Sequence, residues 1–216
     1  MSDLVIEVDE AMKQERIEKL WQKYGGFFIG CLAVIILGTA ANEGYKSWKH
    51  HQDVQQTNLY LDALSKKETS PDDILAVIPK LENSLKGMAE LHAAGIAIDK
   101  GDIAAALDIY RSVEGNDQID PMSKYIARYM VTNLDQDLST DHKRTRYQSL
   151  SSDENNPWRF HAYFALALLE AHEGHDYNAA RQSLAAILNE SVVAETLKQK
   201  AKSLDILYAA KDGLSK

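Results

Sequence analysis

The chain has 216 residues, with 24 Lys plus Arg against 32 Asp plus Glu, a formal net charge of −8 and a single Cys. So acidic a chain lacks the basic face that phosphates require, which argues against nucleic acid as a partner. One Cys excludes an internal disulfide and a thiolate zinc cage, while a hydrophobic content of 45% is enough for one packed domain with an appendage.

Residues 1–23 are charged throughout, and the chain then changes character. From Tyr24 to Asn42 nineteen residues pass without a charge. At helical rise they cover ~28 Å, the hydrocarbon thickness of a bilayer. Trp21 and Tyr24 at one end and Tyr45 and Trp48 at the other supply aromatic belts for two lipid–water boundaries, which a buried core helix does not need. The preceding segment is too long and too acidic for the n-region of a cleaved signal peptide. The stretch 24–45 is therefore expected to be a transmembrane helix. Lys13, Arg16, Lys19 and Lys23 precede it and only Lys46 and Lys49 follow closely. That asymmetry places residues 1–23 in the cytoplasm and residues 46–216 on the far side. Within the span, Gly26, Gly30 and Gly38 share one face, a strip on which a second membrane helix could pack. Cys31 reads as a small apolar residue there.

Beyond the span the pattern is helical. Ser70-Pro71, Asp120-Pro121 and Asn156-Pro157 each put a capping side chain before a proline at the first position of a helix. Pro79 is expected to break or kink the segment from Pro71 to Ser84. No stretch alternates as a strand would, and no Asn-Gly or Asp-Gly hairpin turn occurs, so the class is all-α.

Two segments share one layout. Leu91 to Val113 and Phe164 to Leu188 both read as an apolar helix, a turn and a second helix. In register, Asp102 falls on Asp176 and Ala106 on Ala180, an offset of 74 positions. Small residues where paired helices cross, with larger ones between pairs, make the tetratricopeptide pattern, whose repeat is about 34 residues. The interval leaves room for one more unit, placed at Pro121 to Leu150. Each hairpin hides its apolar face only by stacking on its neighbours, so residues 46–216 are expected to form a helical-hairpin solenoid.

A search for chemistry finds little. His172 and His175 are three apart and His161 lies upstream, but His175 falls in a turn, off the face that carries His172. A metal-dependent hydrolase built on these three histidines is the weakest alternative. Lys143, Arg144 and Arg146 form the densest basic cluster and read as a solvated helix face beside Asp141. Asn189-Glu190-Ser191 matches a glycosylation sequon by chance frequency. No nucleophile elbow, phosphate loop or dinucleotide fingerprint is present, and no catalytic residue, metal site or cofactor is expected. Recognition remains. The concave face of such repeats is lined by the first helix of each hairpin, where this chain places Leu91 and Gly95 in one copy and Ala165 and Leu169 in the other. That lining cannot clamp a carboxylate by charge; it suits an apolar segment or another protein surface, or else it is simply more core.

The order of parts carries a resemblance. A charged N-terminus, a Gly-rich span leaving through Tyr45-Lys46-Ser47-Trp48, and the stretch Gly87-Met88-Ala89-Glu90-Leu91-His92-Ala93-Ala94 running into Lys100-Gly101-Asp102 follow one another. Over roughly Ile17 to Leu207 the chain resembles the YfgM family, ancillary subunits of the bacterial SecYEG translocon. The resemblance implies a single-pass protein of the bacterial inner membrane with a periplasmic tetratricopeptide-like domain at 46–216. It implies as partners the SecYEG translocon, translocating polypeptides and a periplasmic chaperone such as PpiD. A helical-repeat scaffold for cell division or envelope assembly in the same membrane is the alternative with the same topology.

Overall fold

A computed structural model describes the backbone of residues 3–66 and 68–214, and the side chains of residues 34–66, 68–82 and 85–213. Among the described residues there are nine α-helices and no strand, as the patterning requires. The first helix, α1, runs Asp3–Leu64, and the chain divides into two compact units at Gln55 and Gln56.

In the first unit, Met1–Gln55, the described side chains include Val34, Ile35, Ile36 and Leu37, all between 59% and 70% exposed. The Tyr45 and Trp48 rings lie 6.2 Å apart by centroid. Gly38 has open space around it. Gly26, Gly30, Cys31, Trp21 and Tyr24 lie outside the residues whose surroundings are described. Among the described residues no helix is long and apolar enough to cross a membrane; the side chains of 24–33, the first part of the expected span, fall outside that set.

The second unit, Gln56–Lys216, begins with the last turns of α1 and continues as hairpins. A short helix α2 (Pro71–Leu75) and a 3-10 turn at Ile78–Lys80 come first. Ser70 and Asp73 form a reciprocal capping box at the start of α2, and Pro79 sits in the 3-10 turn that follows its end, the break expected there. Then come α3 (Asn83–Asp99) with α4 (Ile103–Gly115), α5 (Pro121–Leu134) with α6 (Thr140–Ser152), α7 (Arg159–His172) with α8 (Tyr177–Leu188), and α9 (Glu195–Leu214). From α2 onward each helix packs on the next, and α3 also meets α5.

The anticipated small residues do bring the helices together. Ala94, Ala97 and Ala106 are fully buried where α3 crosses α4, as are Ala167 and Ala180 in the α7/α8 hairpin. Asp102 and Asp176, aligned in sequence, both cap the second helix of their hairpin, accepting from Ala105 N–H at 3.0 Å and Ala179 N–H at 2.9 Å. Asp120 caps α5 with Pro121 in its first turn. The third proline departs from expectation. Helix α7 starts at Arg159, after a turn in which the Asn156 side chain accepts from Trp158 N–H at 2.9 Å. The same buried Asn156 donates through Nδ2 to Leu150 O at 2.7 Å, so it joins the end of α6 to the approach to α7 rather than capping a helix.

The close approach of α3 to α5 depends on Gly87. A Cβ at that position would lie 2.7 Å from Ser123 Cβ and 2.7 Å from Asp120 Oδ2. At the front of the unit, Tyr60 on α1 hydrogen-bonds His92 Nδ1 on α3 at 2.7 Å, and Gln56 Oε1 accepts from Glu82 N–H at 2.9 Å.

Candidate functional site

The middle hairpin, the least regular in sequence, builds a cavity together with α7. Its second helix is capped by Ser139, whose hydroxyl accepts from His142 N–H. Its first ends at Asp135, which accepts from Arg111 Nη2 at 2.6 Å and from Asp137 N–H at 3.0 Å. Burial pushes the Asp135 carboxyl up, but these hydrogen bonds and the charge of Arg111 together outweigh it and hold the group below the usual carboxylate range. At the far side, Arg144 donates through Nε to Glu170 Oε1 at 2.7 Å and through Nη2 to Glu170 Oε2 at 3.3 Å, and it also meets Asp141. This fork fastens α6 to α7.

A cavity of about 430 Å³ is walled by the three helices that these contacts hold, α5, α6 and α7. Tyr129 and Tyr147 form one wall, their ring centroids 6.0 Å apart, and Phe164, Ala165, Leu168 and Leu169 form the other. Lys143, His172 and Glu173 stand at its polar side, where Thr140 donates to the Glu173 carboxylate. Burial pushes the Tyr147 phenol well above its ordinary pKa, with Tyr129 and Glu173 adding to the effect. Tyr129 continues toward Trp158 at 6.3 Å, and Trp158 packs on His161 at 4.8 Å, so the aromatic rings follow one another along this face. Partial desolvation, and then the charge of Lys200, push the His161 pKa down.

A second, shallower trough of about 630 Å³ runs between α7 and α9, lined by Leu204, Thr196, Gln199, Lys200 and Ser203. It shares Phe164 and Leu168 with the first. The two adjoin at these residues and are together called the groove.

Of the four residues expected on the concave face, the cavity takes in Ala165 and Leu169. Leu91 and Gly95 are not among its walls: Leu91 is half-buried against the α3/α4/α5 core, and Gly95 has open space around it. The three histidines do not form a ligand set. His161 leans on Trp158, His172 lines the cavity and His175 stands in the α7–α8 turn at φ 51°. Among the described residues no group of three or more His, Cys, Asp or Glu side chains could hold a metal ion.

The basic cluster on α6 is a correction. Arg144 and Arg146 are not a solvated face; one binds Glu170 and the other binds Glu114 and Thr132. Only Lys143 of the three is left facing the groove. The tyrosine wall is not legible in the sequence, because Tyr129 and Tyr147 belong to separate helices and converge only through the hairpin fold.

Comparison with known proteins adds one finding. No curated protein and no solved structure matches the chain. A family model described as a tetratricopeptide repeat-like domain matches residues 18–135, more than half of the sequence, from ahead of the uncharged stretch to the end of α5. Helices α6 to α9 lie outside that match yet continue the same alternation of paired helices. With its hairpins, its alanine crossings and the matched range, the chain belongs to the tetratricopeptide repeat-like domain family.

Proposed function

We propose that this protein is a non-enzymatic, membrane-anchored docking protein. The stretch 24–45 holds it in a bilayer with residues 1–23 in the cytoplasm, and residues 46–216 offer the α5/α6/α7 groove to protein partners on the far side. The observation that carries the docking role is the groove itself: a preformed, aromatic-walled concavity along first helices of consecutive hairpins. The exposed run Val34–Leu37 supports the anchor, since four bulky apolar side chains in succession are a solubility liability in water and an asset in lipid. Tethering raises the effective concentration of a weak binding face beside its partners without any new contact.

The likeness to the YfgM family gives the finer reading: a bacterial inner-membrane protein whose domain lies in the periplasm beside the SecYEG translocon. There it would receive emerging polypeptides or a chaperone such as PpiD, and its apolar groove would shield exposed segments of the translocating chain. A photocrosslinking residue placed at Leu168 in the full chain, in native membranes, tests this reading. Crosslinks to translocon subunits, that chaperone or secretory chains are the expected result. Crosslinks confined to division or envelope-assembly proteins transfer the role to a structural scaffold. A domain digested by protease only from the cytoplasmic side would overturn the topology.

A further inference from the structure

The groove has a charge character that its first helices alone do not show. In a chain of net charge −8, its two halves each present one lysine: Lys143 beside the tyrosines and Lys200 beside Leu204. The arginines next to Lys143 are engaged by Glu170, Asp141 and Glu114, whereas Lys143 and Lys200 enter no ion pair among the described residues. The one carboxylate in the lining, Glu173, accepts from the Thr140 hydroxyl, which orients it but leaves its charge, so it offsets part of the Lys143 charge. Between the two lysines the floor is apolar, with Phe164 and Leu168 common to both halves.

We propose that the groove takes an internal segment of a partner protein in which a bulky apolar side chain is flanked on both sides by Asp or Glu. The apolar side chain fills the space between Phe164, Leu168 and Tyr129, and the flanking carboxylates meet Lys143 at one end and Lys200 at the other. A single C-terminal carboxylate does not satisfy this arrangement, because the two cations belong to different halves of the groove. A basic segment is disfavoured by both lysines. The inference deepens the docking role proposed above and rests on it.

The test uses the full chain in mild detergent and three labelled twelve-residue peptides carrying one central Trp, flanked by Glu, by Ser or by Lys, read by fluorescence anisotropy at low and high salt. The Glu-flanked peptide is expected to bind about five-fold or more tighter than the Ser-flanked one, and the Lys-flanked peptide weakest, with the difference shrinking at high salt. Lys143→Gln and Lys200→Gln are each expected to lower affinity for the Glu peptide about two- to five-fold and to leave the Ser peptide unchanged. Equal binding of all three peptides, each weakened by Leu168→Gln, overturns the charge inference while the docking surface stands. Failure of all three to bind, together with unchanged crosslinking of cellular partners by a Leu168→Gln chain, overturns the docking surface itself. Circular dichroism of each variant shows that the fold is retained.

Discussion

Glu114, near the end of α4, accepts two hydrogen bonds from Arg146 Nη2 on α6, at 2.9 Å and 2.7 Å, across 32 residues of chain. Arg128 Nε on α5 adds a third at 3.1 Å, and Arg146 Nε also donates to Thr132 Oγ1 at 2.9 Å. One carboxylate thus links three helices of two successive hairpins. Removing it leaves two guanidinium groups facing each other at a partly buried junction, which is worse than losing an isolated surface pair. Glu114→Ala is expected to lower unfolding stability by about 1–3 kcal/mol. Urea denaturation of the full chain measures it. Arg146→Lys should recover little of the interaction, because an ammonium cannot reproduce the forked contact.

Gly87→Ala is expected to destabilise despite the better helix propensity of alanine. Inside a helix that replacement normally gains about 1 kcal/mol. Here the new methyl would lie 2.7 Å from Ser123 Cβ and 2.7 Å from the capping carboxylate of Asp120, so α3 and the start of α5 must separate. Overpacking of this kind costs about 1–3 kcal/mol, and the net effect is a loss. Thermal unfolding of Gly87→Ala beside Gly95→Ala, where nothing lies within 4 Å, isolates the steric part: the second variant should be neutral or more stable.

The repeats were legible because their signals are local. Asp102 and Asp176 announce the second helices, the alanines announce the crossings, and Pro79 and Pro121 mark a break and a start, all within a few residues of the structure they cause. The groove was half legible for the same reason. Ala165 and Leu169 occupy a helix position whose outlook follows from the repeat, whereas Tyr129, Tyr147 and Lys200 arrive from elements whose relative placement no local pattern encodes. The basic run on α6 misled because a charged helix face looks solvated until a partner carboxylate from another hairpin is known. Glu114 and Glu170 are those partners, and each is distant in sequence.

Glu90 on α3 is 7% exposed, and its Oε2 has no hydrogen-bond partner among the described residues. Burial pushes its carboxyl above the usual carboxylate range, opposed by the charge of Lys86 one turn back. A raised folded-state pKa means the native protein holds this proton more tightly than the unfolded chain does. The stabilisation is fully present below the unfolded carboxylate pKa of about 4.3 and is lost as pH rises through the folded value. Glu90→Met should therefore gain stability at pH 7 relative to the parent, with a smaller difference at pH 4. Comparing variant with parent at each pH cancels the opposite contribution of the depressed carboxyls Asp73, Asp135 and Asp153. An equal gain at both pH values would show that packing, not charge burial, is responsible.

Asp102→Ala and Asp176→Ala each remove the side chain that satisfies a free N–H at the start of α4 or α8. Each is expected to cost about 1 kcal/mol, and asparagine at either position should restore most of it. The two caps belong to different hairpins and share no partner, so the double variant should lose the sum. Chemical denaturation of the two single variants and the double measures this; a double that loses much more than the sum would mean that the hairpins unfold in a coupled step at their turns.

The residues just ahead of those caps make a matched pair in the opposite sense. Gly101 and His175 hold the same place in the two turns, at φ 81° and φ 51°, so both occupy the left-handed region. Glycine enters it freely, while a residue with a Cβ is strained there by about 1–2 kcal/mol. The α7–α8 turn keeps its shape because Gly174 N–H donates to Leu169 O at 3.2 Å and Asp176 N–H to Glu170 O at 2.9 Å on either side of the strained histidine. His175→Gly should relieve that strain and raise stability, offset in part by the greater freedom of glycine in the unfolded chain, for a net gain of up to about 1 kcal/mol. Gly101→His should lose about the same amount. If His175→Gly instead lowered stability, the imidazole would have to make a contact worth more than the strain, and its exposed position in the turn supplies none.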